Sequence, residues 1–369
     1  AETVFSIISG KPTVEYSYSG AALTRVRTED GYGYYPDSRI LTVDVICRTS
    51  SFDEDNATAG IAVTLNGEPY DITDRISQWT TTEDADDINK AHHTAQITFD
   101  EEGYYTVGIS FTDKAGNAAE PVSSISDTPD KFVVDRTKPY GTITVGKLGS
   151  FSSLIDTIHF GTWTNNSATI TADVNDAVSP IYSILYYKTS DVAAKTEQEL
   201  NAVTDWSEFK PFEVTDDARY TVYLKIEDYA GNVRYICTDG IIADFSIPAF
   251  EKVEPIISFN PEISGGGVYD GDVTIEVKVT DPMVNNSYSG IGSVRYEVWN
   301  GDTKTQEGEL YTFSNEKPLF SELEQTVSRN IVVDAQKNNG NDIRVVVYAS
   351  DNAGNAVSES VTLKIDTVK

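Results

Sequence analysis

Three short segments share a carboxylate, a glycine and an amide at fixed spacing: Asp113-Lys-Ala-Gly-Asn117, Asp228-Tyr-Ala-Gly-Asn232 and Asp351-Asn-Ala-Gly-Asn355. Such a set suits two kinds of chemistry. An aspartate at the end of a strand can accept hydrogen bonds from turn amides, with glycine supplying a positive φ and asparagine closing an Asx-type turn. Alternatively, Asn117, Asn232 or Asn355 could form one end of a lysine–asparagine crosslink. That bond needs a buried lysine beside a buried acid, and no lysine recurs at one position in all three copies. The first reading makes Asp113, Asn117, Asp228, Asn232, Asp351 and Asn355 structural turn caps.

Other chemistry-bearing groups are sparse. Asp53-Glu-Asp-Asn56 and Glu83-Asp-Ala-Asp-Asp87 each place several hard oxygen donors in one loop, which suits calcium. Neither has the spaced pattern of a helix–loop–helix calcium loop, so solvated surface charge is the favoured reading, with Asp84, Asp86 and Asp87 as calcium candidates. No other cofactor is expected. The three histidines, His92, His93 and His159, have no nucleophile or zinc spacing beside them, and no glycine-rich phosphate loop or nucleophile elbow is present. Nothing among the 58 acids singles out a glycosidase pair, and Trp79, Trp163, Trp206 and Trp299 read as core rather than sugar platforms. The chain is therefore expected not to be an enzyme.

One segment suggests binding. Asp30-Gly-Tyr-Gly-Tyr-Tyr-Pro-Asp37 lies in a long connection, with Arg25 and Arg27 just upstream. Tyrosines in a glycine-punctuated loop present rigid amphipathic rings, and Arg with Tyr is the composition of binding hot spots. Tyr32, Tyr34, Tyr35, Arg25 and Arg27 are thus the expected ligand-binding residues. The equal alternative is a tyrosine ribbon along an edge strand. The polar loop Val284–Gly290 is a weaker binding candidate.

These groups need a scaffold, and the scaffold reads as strands. The repeated motif ends a strand in which every second residue is apolar: Tyr105, Val107, Ile109 and Phe111, then Tyr220, Val222, Leu224 and Ile226, then Ile343, Val345, Val347 and Ala349. The motifs lie about 120 residues apart, the length of one domain. Each is followed by a short strand ending in Asp135, Asp244 or Asp366, and Pro139 and Pro248 then stop the first two from running on. Further strands are expected at Ile40–Arg48, Ile61–Leu65, 168–175, Ile181–Tyr187, Val273–Val279 and Val294–Trp299, and a helical stretch only at Lys195–Ala202. Roughly seven short strands per unit is a sandwich signature. The expected fold class is all-β: three tandem immunoglobulin-like β-sandwich domains, 1–138, 139–247 and 248–369, arranged as an elongated rod. Tyr105 and Tyr220 stand where such sandwiches place a tyrosine corner. The terminal Asp366-Thr-Val-Lys369 copies Asp135-Arg-Thr-Lys138, which suggests a cut at a domain junction with more domains beyond.

Composition narrows the function. A net charge of −30, spread over all three segments, repels nucleic acid and anionic lipid. No apolar run reaches membrane-spanning length, so no membrane insertion is expected. Cys47 and Cys237 fall in different expected domains and read as buried thiols.

The first two units carry His93-Thr-Ala-Gln-Ile-Thr-Phe-Asp-Glu-Glu-Gly-Tyr104, Gly141-Thr-Ile-Thr-Val-Gly146, Ile158-His-Phe-Gly161 and Thr204-Asp-Trp206 besides their turn motifs. With these the chain resembles the bacterial immunoglobulin-like domains repeated along large Gram-positive cell-surface proteins, especially those of gut Firmicutes. The third unit matches mainly in its last two strands, with Ile343 in place of the tyrosine. The resemblance implies an extracellular array, cell-wall-anchored in the full-length protein, and no particular ligand. The expected function is a non-catalytic stalk and adhesive array, monomeric, with a host surface protein, mucin or immunoglobulin as partner. The alternative is an accessory segment of a large secreted carbohydrate-active enzyme, and the rest of the reading frame separates the two.

Overall fold

Strand Arg39–Cys47 buries Leu41, Val43, Val45 and Cys47 and turns the residues between them outward, and Val273–Thr280 repeats the pattern with Val273, Ile275, Val277 and Val279. This period of two is what a half-buried sheet requires, because successive side chains leave opposite faces. A computed structural model describes residues 10–87, 89–125, 129–255 and 268–367 and shows an all-β chain.

The sheets pair into three sandwiches of one plan. The first has a sheet ordered Val122–Ser124, Thr13–Gly20, Arg39–Cys47, Ala91–Phe99, Thr80–Glu83. Facing it is a sheet ordered Arg25–Val26, Gly33–Tyr35, Lys131–Val134, Gly103–Ile109, Ile61–Leu65, Glu68–Pro69. In the second, Gly149–Phe151, Tyr140–Val145, Ala168–Asn175 and Phe212–Val214 form one sheet. Its other sheet runs Thr162–Thr164, Ile241–Ala243, Ala218–Asp228, Ile181–Thr189, Ser207–Glu208. The third has Ala249–Pro255, Val273–Thr280 and Thr326–Val333 in one sheet. The other is Val268–Tyr269, Ala356–Ile365, Gly340–Asp351, Ile291–Asn300, Thr303–Thr312. Each time the motif strand lies inside its sheet, and a short early strand pairs in parallel with the closing strand. This is the immunoglobulin-like arrangement of two packed sheets.

Packing divides the chain into two compact units. One comprises Ala1–Tyr140, Val174–Ile184 and Ile226–Arg234, the other Gly141–Asp173, Leu185–Lys225 and Tyr235–Lys369. The first unit thus holds the first sandwich and the loop ends of the second, and the second unit holds the remainder.

Among the described residues two short α-helices interrupt the strands. Glu197–Asn201 lies within the expected stretch, with Thr196 and Glu199 forming a reciprocal capping box. Glu54–Ala59 was not expected: Asp53, read from sequence as part of an acidic loop, caps it by accepting from Asn56 N at 3.1 Å. Cys47 and Cys237 are both free and buried.

The first sandwich has an aromatic core. Tyr105 stacks on Phe132 with ring centroids 5.1 Å apart, and Phe99 and Tyr35 meet Phe132 edge-on. Tyr105 also ties back to local backbone, its hydroxyl donating to Glu101 O at 3.0 Å. Arg39, only 1% exposed, lies 3.9 Å over Tyr18, 4.1 Å over Tyr35 and 4.5 Å over Phe132, and donates to Pro129 O. Burying a guanidinium is costly, and the faces of three rings with a carbonyl offset that cost. The third core is built from valine, isoleucine, leucine and alanine instead. Replacing Arg39 with Ala empties a site that the rings were shaped around, and it should destabilise the first sandwich by about 3 kcal/mol or more. Denaturant unfolding of the whole chain checks this; an unshifted first transition would contradict the core assignment.

Candidate functional site

In all three turns the aspartate carboxylate gathers the turn's own donors. Asp113 Oδ1 accepts from Ala115 N and Asn117 N at 3.0 and 2.8 Å, and its Oδ2 accepts from Asn117 Nδ2 at 3.0 Å. Asp228 accepts from Asn232 N and Asn232 Nδ2, both at 2.9 Å. Asp351 accepts from Gly354 N, Asn355 N and Asn355 Nδ2 at 2.7, 2.9 and 2.8 Å. The glycine between must turn left-handed, at φ of +85° for Gly116, +91° for Gly231 and +95° for Gly354, which L side chains resist. Two of the asparagines reach further. Asn232 Nδ2 also donates to the backbone oxygen of Asp135 at 3.0 Å, and Asn355 Nδ2 does the same to Asp244 at 2.9 Å. Each turn therefore grips the segment that joins the preceding sandwich to its own.

That grip collects acids. Among the described residues two groups of three carboxylates have one oxygen apiece within 4.8 Å of one another: Asp135, Asp176 and Asp228, and Asp244, Asp281 and Asp351. In the second group all three side chains are buried, at 2%, 0% and 3% exposure. Asp244 Oδ1 accepts from Ser246 N and its Oδ2 from Ser289 N, while Asp281 Oδ2 accepts from Gly290 N at 2.7 Å. Among the described residues no hydrogen-bond donor meets the buried Asp281 Oδ1. Among the described residues no lysine, arginine or histidine forms an ion pair with any of the three. In the first group Asp135 accepts from Ser179 N and Oγ and from Thr137 N, and Asp176 from Val178 N and Ser179 N.

Burial without countercharge makes ionisation costly. Desolvation pushes Asp228 and Asp351 each up to about 6. Burial, reinforced by the Asp244 charge, drives Asp281 far above the usual carboxylate range. Asp135 is also raised, again chiefly by burial. Sets of close buried acids like these bind a proton or a hard cation.

The first sandwich carries only part of the set. The strand ends Thr171-Ala-Asp-Val-Asn-Asp176 and Glu276-Val-Lys-Val-Thr-Asp281 correspond to Thr42-Val-Asp-Val-Ile-Cys47, so a thiol stands where the others have an acid. Burial and the nearby charge of Asp113 push that thiol up. Asp135 and Asp244 each precede a proline by four residues, and the residue four before Pro12 is Ile8. Among the described residues Asp113 belongs to no three-carboxylate group. The acids missed from sequence, Asp176 and Asp281, were marked only by lying just beyond corresponding strands. The Val284–Gly290 loop supplies two of the second group's backbone donors, Ser289 N and Gly290 N.

The expected ligand-binding residues lie elsewhere, and mostly inside. Tyr34 and Tyr35 are buried, because Gly33–Tyr35 is a strand paired with Lys131–Val134 rather than an open loop. Tyr35 joins the aromatic core, and Tyr34 packs with Val133 and Ala230, its ring 5.2 Å from Tyr229. Tyr32 is half-buried against Tyr104. Arg25 lies 3.7 Å over the Tyr182 ring, pairs with Glu227 at 2.6 Å and donates to Asp228 O, while Thr24 Oγ1 donates to Ala230 O. Arg27 pairs with Glu29 and Asp30. The Arg–Tyr composition thus does its binding within the chain, against the second motif turn. Neither three-carboxylate group found among the described residues includes the calcium candidates Asp84, Asp86 or Asp87. Asp84 accepts from the Asp86 and Asp87 amides, and Asp87 from Asn89 N, so the loop's carboxylates order its own backbone.

No protein-family model and no curated protein matches the chain. Solved structures similar to it include the three N-terminal domains of the bacteriophage RB49 highly immunogenic outer capsid protein, at 10% identity and TM-score 0.35 over 97% of this chain and all of that one. Another is a tetra-tandem repeat in the extending region of a large adhesion protein, at 14% identity and TM-score 0.32 over 96% and 74%. A third comes from a 1.5-MDa bacterial ice-binding adhesin, at 12% identity and TM-score 0.26 over 97% and 99%. These likenesses are of tandem β-sandwich architecture, and none bears on ligand, partner or activity.

Two substitutions test these placements. Asp228→Ala strips the acceptor from Asn232 N and Nδ2 and should cost the second sandwich about 1–3 kcal/mol; an unmoved melting temperature would remove the capping role. Tyr34→Ser leaves a hole where a fully buried ring was and should cost about 3–5 kcal/mol. A Tyr34→Ser chain that melts like the parent would return that ring to the surface.

Proposed function

We propose that the chain is a non-catalytic run of three immunoglobulin-like domains, with boundaries near Lys138 and Ile247, from the extracellular part of a bacterial surface protein. It works there as a stalk and adhesive array. The observation that carries this reading is the repeated junction: the second and third motif turns each clamp the backbone oxygen of the incoming linker aspartate through one asparagine. Two of the three copies of the recurring polar motif thus join a sandwich to the linker before it. Chain continuity built from a repeatable joint is what a spacer needs, and such a surface remains soluble under its charge of −30. Among the described residues no helix is long and apolar enough to cross a membrane. A host surface protein, mucin or immunoglobulin is the partner class to test.

An in-frame deletion tests the spacer role. Removing residues 139–247 from the full-length protein joins Lys138 to Pro248, so Asp135 takes the place of Asp244 before the third sandwich. Antibody against the third sandwich should still label intact cells, and adhesion to mucin- or immunoglobulin-coated surfaces should fall as the array shortens. Labelling only after lysis, or undiminished adhesion by the shortened protein, would overturn the reading.

A further inference from the structure

We infer that Asp244, Asp281 and Asp351 form a binding site for one calcium ion. Three oxygens within 4.8 Å of one another match a shared hard cation: ligands at about 2.3–2.6 Å from calcium lie no more than about 5 Å apart. The donor set is carboxylate alone, without histidine or cysteine, which selects against zinc and copper. Burial of all three acids favours calcium over magnesium, because magnesium sheds its waters reluctantly.

Crowding of acids does not by itself make a site, and two further observations point to a ligand. Asp281 is fully buried, and among the described residues no hydrogen-bond donor meets its Oδ1. Native proteins rarely leave such an atom unsatisfied, and a cation held between the three acids supplies the missing partner. The chain also contains its own comparison. The fold and the turn form equally in the first sandwich, where the corresponding strand end is Cys47 and the residue four before the proline in sequence is Ile8. Asp281 is therefore not required to build the turn. The linker acid and the strand-end acid occur together or are replaced together, as partners in one ligand set would be. The ion would join three segments: the linker through Asp244, the second strand's end through Asp281 and the motif turn through Asp351.

The test uses the full chain, freed of metal by chelator and then dialysed against calcium at neutral pH, with bound metal read by elemental analysis. Asp281→Asn keeps the shape of the side chain and an acceptor for Gly290 N, and it should bind one calcium fewer than the parent. Asp113→Asn should bind as many as the parent, which separates the site from diffuse attraction to an acidic surface. Where Asp281→Asn does not fold, Asp281→Cys copies the residue of the first sandwich and serves instead. Calcium should also raise the melting temperature of the parent's third sandwich by several degrees, with magnesium at equal concentration doing much less. Equal calcium in the parent and a folded Asp281 variant overturns the site. So does a parent whose third transition calcium leaves unmoved, whatever the variants do, and a preference for magnesium overturns the assignment to calcium.

Discussion

One side-chain amide organises each joint: the motif asparagine donates from Nδ2 both to its own turn aspartate and to the backbone oxygen of the linker aspartate, at Asn232 and again at Asn355. Because one amide serves turn and linker together, the second and third turns each fix where the incoming linker arrives. The glycine before it is bound to this geometry, since only a left-handed residue brings the asparagine back under the carboxylate. Clustering of acids follows from the same bond. A linker held by its aspartate's backbone carries that residue's side chain into the turn, where a second carboxylate already waits.

That arrangement shows what a buried polar network costs and what it fixes. Turn aspartates satisfied by two or three donors stabilise their sandwich, but each further carboxylate brought into the same dry volume makes ionisation harder. Asp351 is raised although three donors favour its charged form, so burial outweighs hydrogen bonding there. The environment of Arg39 is the opposite case. A buried cation is held there over tyrosine and phenylalanine faces and donates to a carbonyl, so ring quadrupoles and a backbone oxygen take over part of its hydration.

Much of the fold was legible from residue pattern. Alternation located the strands near Arg39–Cys47, Ala168–Asn175 and Val273–Thr280 to within a residue or two, because those faces pack on a core and period two has no other cause. The helix Glu54–Ala59 escaped because its capping residue, Asp53, sits in an acidic run that reads equally well as solvated loop. Tyr34 and Tyr35 were misplaced for a related reason. Flanking glycines suggest an exposed connection, yet three residues suffice for a strand when a closing strand lies alongside to pair with. Pairing across so great a sequence separation leaves no local signature. Asp176 and Asp281 were illegible in the same way, for a lone aspartate after a strand becomes a site only when folding brings a linker and a turn to it.

The first sandwich shows which parts of the motif the fold demands. Its Asp113–Asn117 turn closes with the same kinds of donor as the other two, while Cys47 stands at the strand end where they have an acid, and the sequence position four before Pro12 is Ile8. Folding pressure alone therefore accounts for the aspartate, glycine and asparagine of the motif. It does not account for Asp244 and Asp281, whose burial beside Asp351 makes charge harder to hold and leaves one oxygen without a donor. A residue that costs stability in the isolated chain, and that a sister domain does without, is held there by something other than the fold. The structure locates that demand at the joints, where a linker, a strand end and a turn converge.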